Sequence, residues 1–180
     1  MTMTTKKQKL TKAEIRIAIA KDVIAQIKAK KYKPTQGTWV ADENQSYDQW
    51  LYDNALDCKV DVRDYTNNIK KCNVCALGSL FVSAVNKYNN VYGTYWSVSA
   101  EEVFNIDNEY SESPLLRYFT LNQLQLIEFT FERGLGVIGL EDDHPMVEKA
   151  NAFFLKYSKS KDRLVAIMKN IIKNKGTFKP

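Results

Sequence analysis

Apolar residues recur every three or four positions in several segments of this chain, a spacing that places them on one face of an α-helix. The first such stripe consists of Ile15, Ile19, Val23 and Ile27. It follows a capping-box pattern at Thr11–Glu14, in which a hydroxyl and a carboxylate each bond a free backbone N–H of the first turn. A helix is therefore predicted from Thr11 to about Lys31, before Pro34.

Four further helices are predicted from the same periodicity and from polar signals at their ends. Ser99–Glu102 and Thr120–Gln123 repeat the capping-box pattern, Pro145 suits a first helical turn, and Gly176 suits a C-cap. The predicted ranges are 99–106, 120–134, 143–157 and 160–176.

The least polar helical segment is CNVCALGSLFVSAVNKY, from Cys72 to about Tyr88. Its large apolar residues share one stripe, while Cys75, Ser79 and Ser83 form a second stripe of small residues where another backbone could approach closely. Strand-like pieces occur at 37–41, 59–63 and 94–98. The pattern predicts a mainly α fold: a compact single-domain helical bundle around the central apolar helix over 72–88, with a small β-hairpin or short strands.

Composition agrees with an ordinary folded domain and narrows the class of protein. The chain has 180 residues, 44% of them hydrophobic and 26% charged, and no apolar run approaches the ~20 residues that span a bilayer. Residues 1–9 are basic with no apolar stretch behind them, which predicts a flexible tail rather than an export signal. Three cysteines, an odd number, fit a reducing compartment. We therefore expect one domain over 1–180, in the cytoplasm and not bound to a membrane.

The net charge of +5 conceals a strong segregation along the sequence. Residues 1–34 carry ten basic and two acidic side chains, and residues 149–180 carry nine and one. Residues 42–64 carry two basic and seven acidic side chains, and residues 99–143 carry two and ten. Two interpretations stay open: the segments present faces of opposite sign to partners, or they are the solvated faces of helices.

Histidine and cysteine, the side chains most used for catalysis and metal binding near neutral pH, are scarce in this chain. Cys58, Cys72, Cys75 and His144 form a candidate zinc set, in which only the Cys72–Cys75 pair has knuckle spacing. No βαβ pattern surrounds that pair, so burial of the thiols as small apolar residues is favoured over redox chemistry. No cofactor and no catalytic residue are predicted, and an enzyme that works through carboxylates alone stays open.

Aromatic residues in the poorly helical parts are the main candidates for a binding surface. The predicted partner-binding residues are Trp39, Trp50, Tyr52, Tyr95 and Trp96. Exposed tryptophan and tyrosine favour recognition of proteins or of stacked bases, and packing under loops is the alternative. If these residues stack on a nucleotide, Arg63, Lys70 or Lys71 would engage its phosphate.

Three segments, KKCNVCALGSLFVSAV, FTLNQLQLIEFTFE and DRLVAIMKNIIKNKGTFKP, together resemble a group of small proteins encoded by bacteriophages and prophages. That group has no assigned activity, so the resemblance implies no catalytic residue. It implies a phage accessory gene that acts in the host cytoplasm.

The leading hypothesis is therefore a non-enzymatic phage accessory protein that binds a host or phage macromolecule, with a protein as the first choice of partner and counter-defence as a role. Two alternatives stay open. One is a small-ligand or nucleotide-binding protein, and the other is a nucleic-acid binder that acts through the basic terminal helices.

Overall fold

The computed structural model describes residues 10–42, 60–61, 71–88, 92–93, 115–133 and 145–180. The elements in these ranges are α1 (Lys12–Lys28), β1 (Tyr32–Pro34), β2 (Val40–Asp42), β3 (Val60–Asp61), β4 (Cys72–Val74), α2 (Ala76–Tyr88), β5 (Tyr92–Gly93), α3 (Leu121–Glu132), α4 (Val147–Lys156) and α5 (Ser160–Lys173). The fold is mainly helical with a small sheet, as predicted. The basic tail 1–9, the predicted helix 99–106 and the predicted strand 94–98 lie outside the described residues. Within the described ranges, no helix combines the length and the apolar character needed to cross a bilayer.

Helix α2 forms the centre of the core, as its composition predicts. All ten of its residues from Ala76 to Val85 are buried, and the helix contacts α1, α3 and β4. A helix that is apolar on every side requires neighbours on every side. The stripe of α1 supplies one of them, since Ile19, Val23 and Ile27 are also buried.

The predicted start of this central helix at Cys72 is wrong, because Cys72–Val74 is strand β4. It is the middle strand of a three-stranded sheet, parallel to β1 and antiparallel to β2. Cys72 and Val74 are buried while Asn73 is half-buried, so the two-residue alternation of a strand governs this piece. Two neighbouring strands satisfy its backbone groups, which a helix would have satisfied internally.

The other strand predictions are partly right. The piece predicted at 37–41 overlaps β2, which begins at Val40, and the piece at 59–63 contains β3, paired antiparallel with β5. Strand β1 was not expected, since it ends at Pro34. It lies at the edge of its sheet, where the missing N–H of a proline is tolerated.

The capping signals locate the helix starts to within a few residues. In α1, Thr11 and Glu14 form both bonds of the capping box. In α3, the Thr120 hydroxyl accepts the N–H of Gln123, but the Gln123 side chain bonds the backbone of Phe178. The box predicted at Thr120 is therefore only half formed, because the C-terminal segment occupies its second member.

The ends of four helices differ slightly from the predicted ones. Helix α1 ends at Lys28 rather than Lys31, and α3 ends at Glu132, before a left-handed Arg133. Pro145 precedes α4 instead of standing in its first turn. Helix α5 ends at Lys173 with Asn174 at the C-cap, so the C-cap predicted at Gly176 is wrong, although Gly176 does have a positive φ.

Another backbone does approach α2 closely, but at Gly78 rather than at the predicted stripe. A Cβ atom on Gly78 would overlap the carbonyl oxygen of Trp39. Ser79 bonds a carbonyl of its own helix, and Ser83 shares a hydrogen bond of 3.3 Å with the Tyr32 hydroxyl. The serines therefore supply polar partners inside the core instead of empty space.

Helices α1 and α5 pack side by side in opposite directions. At one end of the pair, a Cβ atom on Gly176 would lie 2.8 Å from the carbonyl oxygen of Ala13, and Arg16 donates to the Gly176 carbonyl at 2.6 Å. At the other end, Lys30 and Lys161 line the same cleft. The two most basic segments of the chain are thus direct neighbours.

Candidate anion-binding cleft

A cleft of about 270 Å³ lies where the end of α1, strand β1 and the start of α5 meet. Its lining residues are Ile27, Lys30, Tyr32, Lys33, Pro34, Lys71 and Lys161. The four lysines are exposed, whereas Ile27 and Tyr32 are buried. The cleft therefore has a cationic rim above an apolar floor, and none of these lining residues is a carboxylate.

The end of helix α1 determines the position of Lys30. This residue takes the left-handed conformation, with φ at 58°, and the N–H of Lys31 donates to the carbonyl of Gln26 to close the last turn. Glycine is the usual residue here, and a side chain costs about 1–2 kcal/mol in backbone energy. The positive charge is favourable at this negative end of the helix dipole.

The sheet brings Lys33 and Lys71 to the same cleft although they are far apart in the sequence. Strand β1 pairs in parallel with β4 so that Tyr32 lies opposite Cys72, the residue after Lys71. The N–H of Cys72 donates to the carbonyl of Lys31 at 2.8 Å, which ties the start of β4 to the residue before β1. Lys71 is thereby held beside the basic end of α1.

Tyr32 in the floor of the cleft stays uncharged. Burial raises the pKa of its hydroxyl, and the hydrogen bond with Ser83 opposes that rise only partly. Asp22 also lies close enough to act on this pKa, but Lys87 pairs with its carboxylate at 3.4 Å. The charge of the cleft is therefore set by its lysines.

Further exposed lysines continue from the cleft along the two packed helices. They are Lys12, Lys21 and Lys28 on α1, and Lys169 and Lys173 on α5. We call these lysines and those of the cleft the basic surface. Because α1 and α5 are adjacent, the exposed lysines of these two helices lie in one part of the molecule.

Trp39 is the one predicted partner-binding residue that falls in the described ranges, and it packs on the core. Its ring is half-buried, with its centroid 5.4 Å from that of Phe81 on α2. The other predicted residues, Trp50, Tyr52, Tyr95 and Trp96, lie outside the described residues.

Cys72 and Cys75 are buried and form no disulfide with each other, in agreement with the interpretation favoured for these two positions. They do not share a helix face: Cys72 is in β4, and the Cys75 sulfur accepts the N–H of Gly78 at the start of α2. Burial raises the pKa of Cys75 to about 12, so its thiol stays protonated. The other two members of the zinc set, Cys58 and His144, lie outside the described residues, and those residues contain no group of three metal-binding side chains.

A buried charged cluster joins the end of α3 to the turn before β2. Burial raises the pKa of Glu132 to about 7, and nearby Glu128 adds to the rise. The N–H of Gly37 donates to the Glu132 carboxylate at 2.9 Å. Arg163 is fully buried, with its guanidinium 3.7 Å from the ring centre of Phe154 and its N–H groups on three backbone carbonyls. The cluster links elements within the core and is separate from the cleft.

Of the four cleft lysines, only Lys71 is among the phosphate ligands predicted from the sequence. Lys30, Lys33 and Lys161 belong to the terminal charge excess that the sequence displays, so their sign was visible but their convergence was not. The parallel pairing of β1 with β4 places Lys71 next to the end of α1. No pattern in the nearby sequence predicts this pairing. The other two predicted phosphate ligands, Arg63 and Lys70, lie outside the described residues.

No protein-family model, curated protein or solved structure matches this chain. The cleft and the basic surface around it are therefore identified as the candidate site from the geometry of this structure.

Proposed function

We propose that this protein is a non-enzymatic phage accessory protein that binds nucleic acid through its basic surface. The proposal is based on the antiparallel packing of α1 on α5, which brings exposed lysines of both helices together next to one lysine-lined cleft. Lysines that neutralise phosphates release counterions, and this release supplies most of the affinity of sequence-independent binding.

The arrangement of the acidic residues supports the same partner. Two of the ten acidic residues in the segment 99–143, Glu128 and Glu132, are buried in α3 and are therefore not exposed to a ligand. On α5, Asp162 is the one carboxylate in the helix, beside three exposed lysines, Lys161, Lys169 and Lys173. A phosphate backbone therefore meets a strongly cationic surface on the side of α1 and α5.

Packing of Trp39 favours this basic surface over an aromatic one. Its ring contacts Phe81 in the core, so the described member of the aromatic set serves packing. A protein partner, the first choice from the sequence alone, becomes an outcome that the binding experiment distinguishes.

The test measures the affinity for a fluorescent single-stranded oligonucleotide by anisotropy between about 50 and 200 mM salt. We expect the logarithm of the binding constant to fall linearly with the logarithm of the salt concentration, by about 0.7 for each phosphate neutralised. The double variant Lys21→Gln/Lys169→Gln removes one exposed cation from each helix. It should reduce the slope by about 1.4 and weaken binding at every salt concentration.

The matched control is Lys149→Gln/Lys156→Gln, which removes the same charge from α4, a helix that packs on α3. This variant should bind like the parent protein. Equal losses in the two double variants would show that net charge alone attracts the strand. Absence of binding at 50 mM salt, or equal competition by polyglutamate, would contradict nucleic acid as the partner.

The phage origin and a counter-defence role are part of the proposal and depend on the sequence resemblance. A small protein that covers nucleic acid in the host cytoplasm would shield it from the host's nucleases. Expression of the parent protein, but not of Lys21→Gln/Lys169→Gln, should then protect an infecting phage in a host with active restriction.

A further inference from the structure

We infer that the cleft is a binding site for a terminal phosphate attached to a nucleoside, either at the end of a strand or in a free nucleotide. This inference rests on the proposed function and adds to it the class of group that enters the cleft. Three observations on the described residues support it: charge density, cavity size and position on the basic surface.

The charge in the cleft exceeds what an internal phosphate requires. Four lysines line one cavity, and no salt bridge engages Lys30, Lys71 or Lys161 within the described part of the chain. A phosphodiester carries a single negative charge, whereas a phosphomonoester carries about 1.5 to 2 at pH 7. Lysine ammonium groups act as point charges with three donors each, so the group with the greater charge is preferred.

The size and floor of the cleft fit a phosphate with part of its nucleoside. The cleft has a volume of about 270 Å³ and opens to solvent, so a sugar attached to the phosphate can extend from it. Beneath the lysines, Ile27, Tyr32 and Pro34 form an apolar floor on which a sugar or base can pack. Ile27 and Tyr32 are already almost fully buried, so the apolar surface that a sugar or base can cover here is mainly that of the half-buried Pro34 and of the lysine stems.

The position of the cleft suits a terminus. It lies at the end of the α1–α5 pair where α1 finishes and α5 begins, opposite the end at which Gly176 contacts Ala13. A strand that follows the exposed lysines of the two helices would reach the cleft with its terminus. Lys161 also stands in the first turn of α5, where the helix dipole adds positive potential.

The experiment compares one oligonucleotide with phosphates at both ends against the same sequence with hydroxyl ends. We expect the phosphorylated form to bind at least about tenfold more tightly. The variant Lys71→Gln/Lys161→Gln removes two cleft lysines and leaves the backbone conformation at Lys30 untouched. It should reduce this preference to less than about threefold.

The matched control is Lys21→Gln/Lys169→Gln, which removes the same charge from the same two helices outside the cleft. It should weaken both oligonucleotides alike and keep the preference for the phosphorylated one. Competition by AMP, but not by adenosine, would support the inference with a free nucleotide as the source. Competition by the phosphorylated strand alone would support it with the strand end as the source.

Equal affinity for the two oligonucleotides would overturn the inference and leave nucleic-acid binding intact. Loss of the preference in the control variant as well would also overturn it, because the cleft would then have no special role. Binding of AMP without any binding of the hydroxyl-ended strand would contradict the proposed function and keep the terminal phosphate as the ligand of the cleft.

Discussion

Lys30, at the rim of the cleft, has a left-handed backbone conformation that residues other than glycine rarely adopt. With φ at 58° it occupies the position after a helix where glycine is the usual residue. Strained residues persist where another requirement outweighs the strain, and such positions cluster at functional sites. Lys175, after α5, has a similar φ of 53° but does not line the cleft. It therefore serves as a comparison for Lys30 that has the same strain but no contact with the cleft.

We predict that Lys30→Gly and Lys175→Gly both stabilise the fold by about 0.5–1 kcal/mol, because glycine removes the left-handed strain at a small entropic cost. Urea unfolding measures this change in free energy. Only Lys30→Gly should also weaken binding of the phosphorylated oligonucleotide. Unchanged binding in Lys30→Gly would contradict a role of Lys30 in ligand binding. Its charge would then contribute only through its favourable interaction with the dipole of α1.

At the scale of elements, residues 72–75 show how pairing with distant strands overrides a local preference for helix. Cys72 and Cys75 have the spacing of one helix face, and the segment after them is strongly helical. Pairing with β1 and β2 nevertheless draws Cys72–Val74 into a strand, and Cys75 then caps α2 with its sulfur. The two strands that pair with Cys72–Val74 come from residues 32–34 and 40–42. These residues are distant in the sequence, so the residues around position 72 give no indication of the pairing.

The contact between α3 and the turn before β2 should make stability depend on pH. Glu132, at the end of α3, has a pKa of about 7 in the fold and an ordinary value of 4.5. Between these values the folded protein keeps a proton that the unfolded chain has lost. The stabilising contribution of Glu132 is therefore fully present below pH 4.5 and is lost as the pH rises through 7.

We predict that Glu132→Gln removes this loss, because an amide stays neutral and its oxygen can still accept the N–H of Gly37. The difference in unfolding free energy between parent and variant should change with pH by at most about 1.4 kcal/mol per unit, less where solvent screens the carboxylate. Urea unfolding at several pH values between 4.5 and 8 gives this difference. Glu148→Gln, at an exposed site on α4, removes the same charge as a control. Parallel curves for the parent and Glu132→Gln would contradict the raised pKa.

At the scale of the whole molecule, the C-terminal segment holds three helices together. Phe178 is fully buried, with its ring centre 5.5 Å from that of Phe153 on α4. Its N–H donates to the Gln123 side chain of α3 at 2.8 Å, and Asn170 of α5 bonds the backbone of Lys179 twice. The C-terminal segment belongs to a strongly basic stretch of the sequence, yet its Phe178 side chain is part of the core.

We predict that Phe178→Ala costs about 3–5 kcal/mol in unfolding free energy, while Phe178→Leu costs less than about 1.5 kcal/mol. The alanine leaves a cavity between helices, whereas leucine refills most of it. Helix α5 has 14 residues and is therefore roughly 20 Å long, which separates this anchor from the cleft. Phe178→Leu should accordingly bind the oligonucleotides like the parent protein. Unchanged stability in Phe178→Ala would mean that the segment does not dock in solution.

The amino-acid sequence by itself determined the helices in the described ranges, the N-caps of α1 and α3, the buried central segment and the separation of charge along the chain. These properties depend on neighbours within a few residues, such as the Thr11–Glu14 box and the stripe from Ile19 to Ile27. Only the tertiary structure decided that β4 is a strand, that Gln123 bonds the C-terminal segment, and that Lys30, Lys71 and Lys161 share a cleft. Each of these outcomes joins residues far apart in the chain, where the free energy of pairing and burial outweighs local preference.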